Sequence, residues 1–300
     1  MGTLVISSCS ISKNRLDPRL FIDRTPPNGI LIKENFFCDQ TETTNFNWLE
    51  YMFWTKRTFG TQSPEYLATH LDTLVWIDED SCTHKYANYY LRHPAYRDYP
   101  VVGVSQEQAT QYSKWRSDRV FEYLLIQAGI IDYNLIQTKE NAFSIERFFN
   151  GEIERVDKIK EVEYYPEFCL PNVADRKEIL AYSDSLDKHY SSLYHIYFDR
   201  KQSVKLIHCD VIPCPNDSTY NDPTRPVQAY TSHKNIQPIC DLRGNVREWA
   251  AEDSLYFGGS WGDERTNIMQ VDIGKAWQAS KFIGFRNVCR YKKWEENNSR

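Results

Sequence analysis

The feature that most constrains the fold of this chain is its high aromatic content combined with a shortage of glycine. The 300 residues include 20 Tyr, 15 Phe and 8 Trp, but only 12 Gly. Large aromatic side chains dominate the energetics of the cores they enter, whereas nucleotide-binding α/β folds depend on glycine-rich turns. The sequence therefore predicts an aromatic core within much irregular, polar-capped backbone, and it argues against a glycine-rich nucleotide-binding fold.

The overall composition narrows the class of protein further. Apolar residues make up 41% and charged residues 26% of the chain, which is typical of a globular protein with one large domain or two small ones. The formal net charge of −5 argues against a basic groove, so we expect no nucleic-acid partner. Because no run of about 18 apolar residues occurs, we expect no membrane-spanning helix.

The cysteines do not form a recognisable metal or redox motif. None of the eight belongs to a CxxC pair, so a zinc ribbon or a thioredoxin-like site has no support. Cys209 and Cys214 are spaced for a local disulfide or for no bond at all. We interpret several of the cysteines as small buried hydrophobic residues.

The amino terminus resembles the end of a bacterial lipoprotein signal. Residues 4–9 are an apolar stretch followed by small residues and Cys9. The apolar part is short and lacks a basic start, so a chance match is the alternative. We expect Cys9 to carry lipid, and residues 1–27 to be a truncated signal remnant and polar tether. Residues 28–292 would then form one domain with an insertion at about 120–165, and residues 293–300 a tail.

Local patterns predict three strands and two long helices in the first half of the chain. Strands are expected at 30–32 and 36–38, and a further one at 99–104. A helix over 46–58 follows a cap at Thr44 or Asn45 and stops at Gly60. Ser105 and Gln108 form a capping box for a helix over 106–127. The apolar stripe of the first helix is expected at Phe46, Leu49, Met52 and Phe53.

Four segments occur in an order that identifies a family. They are 99–109 together with Trp115, 241–249, 258–261 and 283–286. As a set they resemble the formylglycine-generating enzyme superfamily, also called sulfatase-modifying factors. The resemblance implies an α+β, C-type-lectin-like fold with short strands, few helices and much irregular backbone. It assigns structural roles to Trp115, Gly258, Gly259, Ser260, Trp261, Gly284, Phe285 and Arg286.

Within the superfamily, the segments 45–51, 92–99 and 115–120 resemble a branch of envelope lipoproteins of gliding motility and type IX secretion. This likeness implies a lipid-anchored position in the bacterial cell envelope, on the outer membrane or its periplasmic face. It also implies contacts with other envelope proteins. We expect the loops at 61–98 and 128–165 to make them, because aromatic residues are enriched in these loops and at interfaces. Packing of these aromatics as a satellite core is the alternative.

The segment 241–249 is also a candidate calcium site. Gly244 and Asn245 suit a turn with positive φ, and hard oxygen ligands suit Ca²⁺. The resemblance implies that the carbonyls of Arg243, Gly244 and Val246 and the carboxylate of Glu248 bind the ion. The alternative is that Glu248 caps the turn or pairs with an arginine.

The positions that bind copper in the catalytic members hold other residues here. Those enzymes use two cysteines, the first shortly after the Gly-Gly-Ser segment and the second five residues later. Asp263 and Ile268 stand at these positions. Because thiolates select Cu(I), copper is not expected and an enzymatic activity is doubtful. The sequence favours a non-catalytic structural or adaptor lipoprotein. The alternatives are a formylglycine-generating-type oxidoreductase and a calcium-dependent glycan-binding module.

Overall fold

The computed structural model describes residues 24–77, 81–153, 162–194, 223–224, 227, 239–270 and 272–295. Cys9, Cys209 and Cys214 lie outside these residues, as do most of the expected tether and tail. The predictions made for them therefore stay predictions.

The fold is α+β, as expected from the sequence, with short strands and three long helices. The helices are α1 (Asn45–Phe59), α2 (Pro64–Leu67), α3 (Tyr86–Tyr89), α4 (Gln106–Ala128), α5 (Ile145–Phe149), α6 (Val173–Tyr194) and α7 (Arg265–Gln270). The strands are β1 (Gly29–Lys33), β2 (Phe36–Asp39), β3 (Tyr164–Cys169), β4 (Arg247–Trp249), β5 (Leu255–Phe257), β6 (Ile273–Lys275), β7 (Ile283–Gly284) and β8 (Val288–Lys293).

The strands form two four-stranded sheets. The first has the order β1-β2-β8-β3 and is antiparallel throughout. The second has the order β6-β5-β4-β7, with β4 and β7 parallel. The strand that is last in the chain, β8, is an inner strand of the first sheet, so this sheet joins the two ends of the domain.

Helix α1 confirms the predicted boundaries but not the predicted apolar face. The Thr44 side chain caps the helix in a capping box with Asn47, and Gly60 follows its last residue. Trp48 and Tyr51 are buried with Met52, whereas Phe46 and Phe53 are 41% and 65% exposed. The expected stripe was right for Leu49 and Met52, which pack in the core, and wrong for Phe46 and Phe53, because two apolar stripes overlap on this helix. The one that carries Trp48 packs against Tyr112 of α4, with ring centroids 5.6 Å apart.

The segment 99–104 is buried but is not a strand, contrary to the expectation. Its backbone groups bond to separate partners. Val101 N–H donates to the Thr43 carbonyl at 2.9 Å, and Gly103 N–H donates to the Ser280 carbonyl at 3.1 Å. A strand needs one continuous neighbour, and this segment instead crosses between the start of α1 and the loop before β7.

Helix α4 confirms the predicted capping box of Ser105 and Gln108 and ends at Gly129, whose φ is +67°. The segment that follows is folded back onto it. Asp118 of α4 accepts a hydrogen bond from Ile145 N–H of α5 at 2.8 Å. Burial raises the pKa of the Asp118 carboxyl to about 6, although this hydrogen bond and Arg119 oppose the rise.

Most of the aromatic residues in the two long loops belong to the core. Tyr86, Tyr90, Phe143 and Phe148 are all buried, which is what the satellite-core alternative predicted. Outward-facing aromatic side chains remain in both loops, among them Tyr89 and Tyr133. Fewer aromatic residues of these loops are therefore exposed than the sequence indicated.

Candidate functional site

The centre of the molecule is a buried ionic network that ties the family segments together. Arg286 follows β7 and is completely buried. Its Nε donates to Glu248 Oε1 of β4 at 2.7 Å, and its other nitrogens donate to the Asp39, Gln40 and Cys240 carbonyls. A buried charge is tolerated when it is paired and hydrogen-bonded. Arg286 therefore joins the end of β2, the segment before β4 and β4 itself.

Arg176 and Glu42 extend this network, and their roles in it could not be predicted from the sequence. Arg176 of α6 places its Nη1 3.6 Å from Glu248 Oε2 and also pairs with Asp272 at 2.7 Å. Glu42 is completely buried, and its Oε2 lies 4.0 Å from Arg286 Nη2. Burial, helped by the nearby Asp241 charge, raises the pKa of Glu42 well above its ordinary value. No sequence spacing connects these residues, since they lie on separate elements.

The predicted calcium segment forms the turn that its residues indicated. Gly244 and Asn245 have φ values of +88° and +57°, and Asn245 donates to Glu42 Oε1 at 3.0 Å. Val246 and Glu248 are buried. Glu248 is paired with Arg286, as the alternative for this residue proposed. Two guanidinium groups beside this carboxylate disfavour a divalent cation, so the donor set does not fit Ca²⁺ in this arrangement.

The Gly-Gly-Ser-Trp segment packs at the core, as the resemblance implied. Trp261 is buried, its backbone N–H donates to the Asn245 carbonyl at 2.8 Å, and its indole donates to the Lys281 carbonyl at 3.2 Å. A Cβ at Gly258 would lie 2.9 Å from the Leu242 carbonyl oxygen, and one at Gly284 would lie 2.6 Å from the Val101 carbonyl oxygen. These close backbone approaches explain the glycines.

Two other residues with predicted structural roles also contact the core. Phe285 is completely buried and packs edge-on against Trp48, with centroids 6.1 Å apart. Trp115 is partly buried and contacts Tyr51 and Tyr112 at 5.1 and 5.5 Å. The family segments 99–115 and 283–286 therefore meet on one side of α1.

The position of the first copper cysteine is occupied by a structural ion pair. The guanidinium of Arg247 binds both carboxylate oxygens of Asp263, with the Nε to Oδ2 distance at 3.0 Å. Asp263 Oδ2 also accepts from the Ser260 backbone N–H at 2.7 Å and from its hydroxyl at 2.8 Å. Partial burial opposes ionisation, but the hydrogen bonds from Arg247 and Ser260 outweigh it and lower the Asp263 pKa. Asp263 thus holds the turn after Ser260.

The position of the second copper cysteine is filled by apolar packing. Ile268 of α7 is 3% exposed and lies so close to Gly259 that a Cβ there would be 2.3 Å from Ile268 Cγ1. An aspartate engaged by arginine and an isoleucine offer no thiolate, so these residues do not fit copper. Among the described residues, no group of three or more His, Cys, Asp and Glu is placed to hold a metal ion.

Taken together, these elements define an α+β domain whose family segments converge on one buried arginine–carboxylate network. The chain belongs to the sulfatase-modifying factor family, because the family model described as "Sulfatase-modifying factor enzyme 1-like domain" matches residues 3–292. A comparison with curated proteins gives no match. Among solved structures, one titled "Crystal Structure of CarF" is similar with 17% identity over 85% of this chain and 86% of that chain, at a TM-score of 0.44.

The part of the chain that the structure describes contains no helix that is both long enough and apolar enough to cross a membrane.

Proposed function

We propose that this protein is a non-catalytic member of its family that acts as a structural or adaptor component of a bacterial cell envelope. The observation that carries the proposal is the replacement of both copper positions. Asp263 is engaged by Arg247 and Ser260, and Ile268 is packed on Gly259. Both side chains stabilise the fold where a catalytic relative would bind its metal, so the family scaffold serves here for binding other proteins.

Three observations support a place in the envelope. Residues 4–9 resemble the end of a lipoprotein signal, with Cys9 as the acceptor of the lipid. Cys82 is disulfide-bonded, and disulfides persist in oxidising compartments outside the cytosol. The segments 45–51, 92–99 and 115–120 resemble the gliding-motility and type IX secretion branch. We therefore propose a lipid-anchored protein of such an assembly, which contacts its partners through the loops 61–98 and 128–165.

The test of the missing activity is a turnover assay read by mass spectrometry. The purified protein is mixed with Cu(I), a reductant, O₂ and a Cys-x-Pro-x-Arg peptide, beside an active enzyme of the family. We expect no aldehyde from the wild type and no displacement of a chromophoric Cu(I) chelator. Conversion of the peptide cysteine by the wild type would overturn the proposal. A variant with Asp263→Cys and Ile268→Cys shows whether two thiols at these positions are enough to take Cu(I) from the chelator.

The test of the anchor is made in the native host. We expect the wild type to partition with membranes and to incorporate labelled lipid. Cys9→Ser is expected to lose both, whereas Cys38→Ser is a control at a buried thiol. If Cys9→Ser still incorporates the lipid label, lipidation at Cys9 is wrong.

A further inference from the structure

One surface segment of this acidic protein carries no acidic residue. Residues 84–97 contain Lys85, Arg92 and Arg97, two histidines and four tyrosines, but neither Asp nor Glu. The whole chain has 41 Asp and Glu and a net charge of −5. The positive charge is therefore concentrated in this one segment, which contains α3 and precedes the buried stretch 99–104.

The backbone of this segment is fixed by hydrogen bonds from buried side chains. Asn45, the first residue of α1, is completely buried and donates from its side chain to the Tyr90 and Tyr96 carbonyls, both at 3.0 Å. The Tyr90 hydroxyl donates to the Pro100 carbonyl at 2.7 Å, and its ring stacks on Tyr96 with centroids 5.5 Å apart. The backbone that carries the outward side chains is therefore preorganised, which lowers the entropic cost of binding.

The outward side chains include two contacting pairs, one within this segment and one between this segment and the start of α1. Tyr89 is 55% exposed, and its ring contacts His93 edge-on at 6.2 Å. The Arg97 guanidinium lies 4.6 Å from the centre of the Phe46 ring, and Phe46 N–H donates to the Arg97 carbonyl at 3.0 Å. Arg92 and His93 are exposed beside them. We name Phe46, Tyr89, Arg92, His93 and Arg97 the basic-aromatic face.

The charges of this face are available to a partner. The only acidic residue paired with it among the described residues is Asp98, whose Oδ1 lies 3.4 Å from Arg97 Nε. Both side chains of this pair are mostly exposed, and such surface pairs contribute little because water and salt screen them. Arg92 and Arg97 can therefore each bind a carboxylate of a partner through two parallel hydrogen bonds.

We propose that the basic-aromatic face binds an acidic, aromatic-containing segment of a partner protein. This inference rests on the proposed adaptor function and names the chemistry of its partner. Complementary charge steers and orients association, while arginine and aromatic side chains are enriched at protein interfaces. The face is extended, and its charged groups are exposed rather than gathered in a pocket. It therefore suits a peptide that carries several carboxylates better than a single bound anion.

The experiment measures binding of a fluorescein-labelled peptide of Asp, Glu and Phe by fluorescence anisotropy. The probe peptide is compared with a Gln, Asn and Phe peptide of equal length. We expect the double variant Arg92→Glu with Arg97→Glu to weaken binding of the acidic peptide by at least about tenfold. The double variant Phe46→Ala with Tyr89→Ala is expected to weaken it by about threefold or more. Thermal melts check that each variant is folded.

A matched control separates this face from general charge. Lys177→Glu with Lys275→Glu changes the net charge equally at two exposed positions elsewhere and should leave binding within about twofold. The proposal is overturned if the control loses as much affinity as the face variant, or if the neutral peptide binds equally well. It is also overturned if phosphatidylglycerol vesicles, and not the peptide, bind in a way that depends on Arg92 and Arg97. None of these outcomes bears on copper turnover or lipidation, which test the proposed function separately.

Discussion

Asp118 offers the sharpest test of the energetics of this fold. It lies on α4 and accepts the Ile145 N–H of α5 at 2.8 Å, and burial raises its pKa from 3.8 to about 6. The folded protein therefore binds this proton more tightly than the unfolded chain does. The contribution of Asp118 to the free energy of unfolding is greatest below the pKa that Asp118 has in the unfolded chain. It falls as the pH rises from about 4 to 6 and stays low above that.

The magnitude follows from the difference between the two pKa values. About two pH units at 1.36 kcal/mol each give a cost of about 3 kcal/mol at neutral pH, as an order of magnitude. Asparagine keeps an oxygen that accepts from Ile145 N–H but cannot ionise. We therefore expect Asp118→Asn to raise the free energy of unfolding by up to about 3 kcal/mol at pH 7.5, with a much smaller gain at pH 4.5.

The assay is urea denaturation at pH 4.5, 6 and 7.5, followed by circular dichroism. Asp118→Ala is the control, because it removes the charge and the acceptor together. It should lose about 1–3 kcal/mol relative to Asp118→Asn at every pH, since Ile145 N–H is left without its partner. If Asp118→Asn is destabilised by the same amount at all three pH values, the argument from burial is wrong.

Other predictions concern the buried ionic network and the positions that bind copper in catalytic relatives. Glu248→Gln should lower the free energy of unfolding by about 3–5 kcal/mol, because Arg286 is left as a buried charge; chemical denaturation measures this. In thermal melts with and without calcium, we expect the Tm of the wild type to stay the same. A rise in Tm with calcium that is absent from Glu248→Gln would instead support the calcium site. Gly259→Ala should lower Tm by several degrees because its Cβ meets Ile268, and its combination with Ile268→Ala should cost less than the sum of the two single losses. Additive losses would contradict this contact.

Much of the fold follows from local sequence signals. The cap at Thr44, the capping box at Ser105 and the helix stop at Gly60 are readable because each depends on residues a few positions apart. The positive φ values at Gly244 and Asn245 are likewise local. The family segments then indicated which parts of the chain meet in the core.

The remainder depends on contacts between distant parts of the chain. The apolar face of α1 was misassigned because the choice between two stripes is made by Tyr112, which is more than fifty residues away. The role of Arg176 could not be seen because its partners lie on three other segments. The capping of the turn after Ser260 by Asp263 could not be predicted, because it requires the position of Arg247, which only the tertiary structure gives.

The inner position of β8 has a consequence for how the protein is made. Its residues pair with β2 on one side and β3 on the other, and Arg286 just before it binds the carbonyls of Asp39 and Gln40. A nascent chain whose β8 is still inside the ribosome has no strand to place between β2 and β3. The first sheet must therefore stay incomplete until β8 has emerged, which leaves the edges of β2 and β3 open to a chaperone up to that moment.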